Sequence, residues 1–332
     1  MKLPRRKFLR AAASTVAGAV ALPALSRIAS ASDYPTRPVR IIVGFAAGGA
    51  PDILARLCGQ WLSERLGQSF VIENRTGAGG NIATEAVVQA PPDGYTLLLA
   101  STGNTVNVTL YNNLNYDFLR DVTPVAGISR EPLAMEVNPS LPVTTVPEFI
   151  AYAKANPGKI NYGSAGIGSS LHMAGELFNL KAGVKLVHVP YRGGAQTVQS
   201  LLSGEVELMW DTPAPTTHSF VADGKLRALA VMSNKRLSSF SDVPAIGELG
   251  YGNDLEVQAW QGVLVRSGTP AAIVDTLYQA IAKGMALDDP RQRIAAMAVE
   301  PMATDPAAFE AFFTSEVKRW TDVARAAGIE AQ

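Results

Sequence analysis

One cysteine, Cys58, stands in 332 residues, so no disulfide can form within the chain. The three histidines, His172, His188 and His218, form no grouping with metal-ligand spacing, and no resident metal or cofactor is implied. Charged residues are also scarce, at 17% against 47% apolar, which excludes a disordered chain and predicts a globular one with ample core. Beyond the first 31 residues no apolar run reaches ~18 residues, so the body is predicted to be soluble rather than membrane-spanning. No P-loop is present, because Gly77-Ala78-Gly79-Gly80 is not followed by Lys-Ser/Thr. Gly166-Ile167-Gly168 lacks the third glycine of a dinucleotide fingerprint.

The formal charge of zero conceals an asymmetry. Residues 1–31 carry Lys2, Arg5, Arg6, Lys7, Arg10 and Arg27 and no acid, which leaves the remainder mildly acidic. That balance argues against nucleic acid as a partner. The same 31 residues read as an export signal. Arg5-Arg6 opens a basic region of twin-arginine type, Ala11 to Leu25 is apolar, and Ala29-Ser30-Ala31 has the small-x-small form of a cleavage site. Cleavage is expected after Ala31, delivering a mature chain to the periplasm.

The body is organised around residues 39–52. Val39 to Val43 is a β-branched apolar run that predicts a buried strand. Gly48-Gly49 turns the chain, Pro51 suits a first helical turn, and Ile53, Leu54, Leu57, Trp61 and Leu62 recur at helical spacing. Cys58 falls on the inner register of that helix and reads as an inert buried thiol. Strand, glycine turn and helix start together form an anion seat, because first-turn N–H groups lack intrahelical partners. The pattern repeats at Phe70–Glu73 with the loop 74–81, and at Tyr95–Ala100 with Ser101 to Asn104. It recurs at Ile160–Gly163 with Ser164 to Ser170, at Val184–Val189 with Pro190 to Gly194, and at Val206–Trp210 ending in Asp211. Such units predict parallel sheets whose ligands lie beyond the carboxyl ends of the strands.

Leu133–Val137 reads as a crossing into a second domain and Leu226–Met232 as the return. The expected organisation is an α/β chain of two hinged lobes, residues 32–134 plus 236–332 and residues 135–235, with a ligand cleft between them. Further helices are expected to about Leu287, across 291–298, and from about Pro306 to Ala326. The strand-end loops carry small residues, hydroxyls and backbone donors with few charges. That composition suits a carboxylate held by N–H groups and water. Arg75 and Arg192 are the nearby cations; Arg75 either clamps a second carboxylate or pairs with a surface acid. Asp211 either accepts from the ligand or caps the next helix. A second class of function also fits the residue types: Ser164, His172 and Asp211 could form the triad of a secreted serine hydrolase, although no Gly-x-Ser-x-Gly elbow is present.

Several ordered stretches carry a family resemblance. They include Phe45 to Asp52, Glu73 to Asn81 (ENRTGAGGN), Pro92 to Leu98 (PDGYTLL), Asn156 to Tyr162 (NPGKINY) and Leu171 to Phe178 (LHMAGELF). His188 to Gly193 (HVPYRG), Gly224 to Val231 (GKLRALAV) and Asp242-Val243-Pro244 complete the set. In this order and spacing the chain resembles the Bug family of periplasmic receptors, the binding component of tripartite tricarboxylate transporters. The resemblance implies a type II periplasmic-binding fold, a small carboxylate ligand, membrane permease subunits as partners, and a monomer. Carried over by position, it implies ligand contacts at Phe45, Ala47, Gly49, Asp52, Thr102 and Asn104. In the second lobe it implies Ser164, Ala165, Gly166, Gly168, Ser169 and Asp211. Ala165 and Ile167 make the second-lobe loop more apolar than a strongly polar ligand would want, which favours an apolar or aromatic tail. A receptor feeding a sensor kinase without transport shares every one of these features.

Overall fold

The computed structural model describes residues 34–329, except 49, 214, 238–239, 289–291 and 295–298. The predicted export signal, its cleavage point at Ala31, Gly49 and most of the helix expected across 291–298 lie outside the described residues.

Two sheets form the framework. The first has the order β11-β4-β10-β3-β1-β2. Its strands are β1 (Val39–Val43), β2 (Phe70–Asn74), β3 (Thr96–Ser101), β4 (Val122–Pro132), β10 (Gln258–Arg266) and β11 (Glu300–Thr304). The second has the order β7-β6-β8-β5-β9. It contains β5 (Ala134–Val137), β6 (Asn161–Ser164), β7 (Val187–Pro190), β8 (Leu208–Asp211) and β9 (Arg227–Val231). β1, β2 and β3 are parallel, and β10 runs against both β3 and β4, so β4 ends at the same edge as β1–β3. In the second sheet β6, β7 and β8 are parallel and β5 runs against β8, so β5 begins at the edge where they end.

The helices follow apolar spacing. They are α1 (Ala50–Leu66), α2 (Asn81–Val88), α3 (Thr102–Leu110), α4 (Phe118–Asp121), α5 (Val146–Ala155), α6 (Ser170–Ala182), α7 (Gly194–Ser203), α8 (Pro215–Ala222), α9 (Gly252–Leu255), α10 (Ala271–Met285) and α11 (Pro306–Ala326). α1 buries Leu54, Ala55, Leu57, Cys58, Trp61 and Leu62 along one stripe. Burying each large side chain contributes about 1.5–3 kcal/mol. Cys58 is fully buried, and burial pushes its thiol up to about 12. α11 braces both sheets. Phe309 and Phe313 pack around Trp260 of β10, whereas Trp320, Val323 and Ala324 join the cluster containing Trp210 and Phe178 of the second.

The chain crosses between sheets at Leu133, between β4 and β5. The Leu133 carbonyl accepts from Met232 N–H (2.6 Å), the Met232 carbonyl from Val257 N–H (3.0 Å), and the Val257 carbonyl from Leu133 N–H (3.2 Å). The sequence pattern places the return at Leu226–Met232, with the first lobe resuming at residue 236. β9 instead lies wholly in the second sheet, against β5. The segment after it stays there: Val231 bridges Ala245, Leu237 and Phe240 pack on Ala134, and Ile246, Leu255 and Val257 join the cluster of Met135 and Trp210. The chain re-enters the first sheet only at Gln258. β7 also starts three residues later than expected, because Leu186 turns into the cluster of Phe149 and Phe178.

Candidate functional site

The carboxyl ends of β1, β2 and β3 lead into three loops that are locked to one another. A Cβ on Gly44 would lie 2.8 Å from Gly80 Cα, so only glycine lets these two loops touch. Gly77, Ala78, Gly79 and Gly80 all have positive φ (127°, 46°, 62° and 95°), a left-handed run that glycine makes accessible. Asn107 Nδ2 donates to Gly79 O (2.9 Å) and to Asn81 Oδ1 (2.8 Å), holding that run against α3.

Three expected first-lobe contacts have internal work. Asp52 is buried. Its Oδ2 accepts from Gly48 N–H (2.9 Å) and Arg56 Nε (2.9 Å), and its Oδ1 from Arg56 Nη2 (3.0 Å) and Asn74 Nδ2 (3.0 Å). Burial alone would raise this carboxyl, but Arg56, Gly48 and Asn74 together hold it below the ordinary range. The carboxylate that occupies the first loop is therefore the chain's own, and the i,i+4 spacing of Asp52 and Arg56 is the sequence signal for it. Asn104 Oδ1 accepts from Ser101 N–H (2.8 Å) and its Nδ2 donates to Thr84 Oγ1 (2.9 Å), spending both ends of the amide. Thr102 Oγ1 accepts from Trp260 N–H (3.1 Å) and fastens α3 to β10. Phe45 is half-buried, with its carbonyl taking Asn74 Nδ2 (3.0 Å), and Ala47 is exposed. Arg75 pairs with Glu73 (2.7 Å), the surface alternative of the two expected for it.

The second-lobe loop is held by a buried polar cluster. Ser164 Oγ accepts from Gly166 N–H (3.1 Å) and lies 2.6 Å from His188 Nε2. The His188 ring stacks on His172, with centroids 4.0 Å apart, and on Tyr162 at 5.0 Å. His172 Nδ1 accepts from Gly168 N–H (3.2 Å), and Tyr162 Oη donates to Glu176 (2.6 Å). Ser169 Oγ donates to Gly166 O (2.7 Å) and caps α6. Ala165 packs on the Tyr162–Trp210 cluster. Burial holds His172 down to about 4; burial and then the neighbouring His172 hold His188 down to about 3. Both rings are therefore neutral at pH 7.

The triad of Ser164, His172 and Asp211, the alternative reading of these residues, does not assemble. Ser164 is partnered by His188, not His172. His172 uses Nδ1 on Gly168 and turns Nε2 toward Glu176, at 3.9 Å. The pairing of His188 with Ser164 follows from the register Tyr162↔His188 and Ser164↔Pro190, which sequence spacing does not reveal.

The two sets of loops meet at glycines. A Cβ on Gly103 would lie 3.7 Å from Gly79 O and 3.8 Å from Gly168 O, and one on Gly168 would lie 3.3 Å from Asn107 Oδ1. Backbone from α3, the 77–80 run and the 164–170 loop thus converges, with the side chains of Leu110 and Asn107 beside Gly168. Of the expected contacts, Gly168 is brought to this point, and Ser164, Gly166 and Ser169 shape its loop; Gly79, Gly103 and Asn107 were not anticipated. Asp211 ends β8, paired with Ala134 at the crossing. Burial raises its carboxyl to about 7. No group of three or more His, Cys, Asp or Glu side chains among the described residues could hold a metal ion.

Comparison with known proteins shows the family. The sequence profile described as "Tripartite tricarboxylate transporter family receptor" matches residues 54–329. Protein BugT of Bordetella pertussis is 34% identical over 312 residues, which cover 93% of this chain and 95% of BugT. Rpa4515 of R. palustris, solved with adipate, superposes with a TM-score of 0.81 at 38% identity, covering 90% of this chain and 100% of that one. MatC (Rpa3494) of Rhodopseudomonas palustris, solved with bound malate, gives a TM-score of 0.77 at 31% identity, covering 87% and 99%.

Proposed function

The chain belongs to the tripartite tricarboxylate transporter receptor family, and from that premise we propose that it captures a small carboxylate between two lobes and delivers it to membrane permease subunits. The family consists of periplasmic receptors. For this chain we place it in the periplasm after cleavage near Ala31, acting as a monomer without cofactor. The lobes in this reading are residues 32–132 with 258–332, and residues 134–257, hinged where Leu133, Met232 and Val257 exchange backbone hydrogen bonds.

The observation that carries the reading is the convergence of Gly79, Gly103 and Gly168 where both sheets end. Glycines there would let a ligand carboxylate approach the backbone closely, and the first turn of α3 adds its dipole. Thr102 and Asn104 hold α3 in place. Asp52 ties the loop of Phe45 and Ala47 through Gly48 N–H. Ser164, Ala165, Gly166 and Ser169 shape the opposite loop. Binding without turnover is supported by the burial of Ser164, which is 0% exposed and whose hydroxyl is tied to both the N–H and the carbonyl of Gly166 (3.1 Å each).

A thermal-shift panel of mono-, di- and tricarboxylates, amino acids and aromatic acids tests this. A ligand at ~100 times its Kd adds about 2.7 kcal/mol, enough for a shift of a few degrees. A hit recovered unchanged after long incubation is the expected result. Consumption of the hit would favour catalysis, and silence across the panel would contradict carboxylate capture.

A further inference from the structure

Three carboxyl groups gather at the crossing between the sheets. Glu131 is the penultimate residue of β4, at the same edge as the carboxyl ends of β1–β3. Asp211 ends β8 and pairs with Ala134, the first residue of β5, so it sits just across Leu133 from Glu131. Glu136 follows on β5, on the same sheet face as Asp211. Glu131 is 2% exposed and Glu136 0%. Asp211 is partly buried, the most exposed of the three. A Cβ on Gly194 would lie 4.0 Å from Asp211 Oδ1, so at this point the start of α7 meets the carboxyl as bare backbone.

These acids have little compensation, and Asp211 has only a backbone bond from Thr212 to set against its burial. Neither oxygen of Glu136 has a hydrogen-bond partner. Glu131 takes a long bond from Ser129 (3.3 Å), whose hydroxyl lies much closer to Gln261 (2.5 Å), and a second bond from the Gln261 side chain. Among the described residues no Lys, Arg or His pairs with any of the three. The charged groups facing Asp211 are Glu131 from β4 and Glu136 from β5, both anionic when ionised, and α7 contributes only backbone there.

Resting on the carboxylate reading above, we infer that Asp211, backed by Glu131, reads the far end of the ligand and selects a hydrogen-bond donor there, an ammonium or a hydroxyl, over a second carboxylate. The glycine convergence seats the ligand's carboxylate, and the acidic wall at the crossing seats its donor. A ligand carboxylate placed at that wall would be one more anion in a poorly compensated group, whereas an ammonium or hydroxyl supplies what the acids lack. Burial, then the charge of Asp211, raises Glu131 to about 7, and burial raises Asp211 to about 7. The selectivity therefore strengthens as pH rises through neutrality. This differs from the apolar tail that Ala165 and Ile167 favour.

The test is titration calorimetry of the purified protein with straight-chain carboxylates of equal length, from four to six carbons, ending in methyl, hydroxyl, ammonium or carboxylate. At pH 8 the hydroxyl- or ammonium-ended acid should bind at least about tenfold more tightly than the dicarboxylate and the methyl-ended acid. The preference over the dicarboxylate should narrow at pH 5.5 and collapse in Asp211→Asn. Glu131→Gln, which removes a like charge, should carry the preference to lower pH, and it supplies a second reading if Asp211→Asn melts early. A dicarboxylate or methyl-ended acid that binds equally well or better at pH 8, or an order unchanged in Asp211→Asn, overturns the inference alone. Absence of binding by every probe overturns the carboxylate reading together with it.

Discussion

Replacing Glu136 by methionine should make the protein more stable, and increasingly so at higher pH. Its carboxyl lies in β5 beside Met209 of β8 and Ala228 of β9, wholly buried, with both oxygens unpartnered. Holding even a neutral carboxyl in such a place costs about 1–3 kcal/mol. Ionising it costs more, because burial first and the charge of Asp211 second push it well above its ordinary value of 4.5. A folded pKa above the unfolded one means the group does least harm below pH 4.5, and stability is lost as pH rises through the folded value. Methionine keeps the length of the side chain and removes both penalties. The expected gain at pH 5 is about 1–3 kcal/mol, a rise in Tm of a few degrees for a chain of this size. The gain should be larger at pH 8. Calorimetric melts of wild type and Glu136→Met at both pH values decide it. A lower Tm in the variant, or an advantage that shrinks with pH, would refute the reasoning, since either requires a donor to meet Glu136 in the folded state.

The stacked pair His172 and His188 should make the fold acid-labile. The unfolded chain takes up protons near pH 6.5 that the folded pair refuses until about 4 and about 3, so the stability contributed by the neutral rings is complete above 6.5 and is lost as pH falls toward 4. Urea melts at pH 7 and pH 4.5 should show a smaller loss in His188→Gln than in wild type; equal losses would contradict this. Cys58 should react with a thiol reagent only at the rate of global unfolding, given its complete burial, and fast labelling under native conditions would show an opening near α1. Gly44→Ala should lower stability by about 1–3 kcal/mol, because its Cβ meets Gly80 Cα at 2.8 Å and neither loop can yield cheaply; an unchanged melt would contradict the loop contact.

Much of this fold was legible residue by residue. Val39–Val43 with its glycine turn, and the stripe from Leu54 to Leu62, predicted β1 and α1 because strand and helix periods are local properties. The rule that ligands lie at strand carboxyl ends directed attention to the edge where the loops of residues 77–80 and 164–170 meet α3. What was not legible depends on pairing across distance. The register of β6 with β7 delivers His188, not His172, to Ser164. The segment 237–257 lacks a strong period, and only its bridge to Val231 and its packing on Met135 and Ala134 keep it with the second sheet. Asp52 and Asn104 were expected to face a ligand, because residue type reveals a capacity to bond but not which partner takes it. Glu131 and Glu136 passed unnoticed, although a glutamate within the apolar run Ala134-Met135-Glu136-Val137 is a signal in its own right.

The central claim is that a carboxylate is held where Gly79, Gly103 and Gly168 face one another. Gly103→Ala is the sharpest probe, because a Cβ there is tolerated at 3.7 Å from Gly79 O and 3.8 Å from Gly168 O yet stands between the two loops. Titration calorimetry of wild type and Gly103→Ala with the ligand from the thermal-shift panel, alongside melts of both proteins, measures it. The account requires a loss of at least about a hundredfold in affinity with little change in Tm. A variant that folds and binds as tightly as wild type would place the ligand elsewhere and contradict the account.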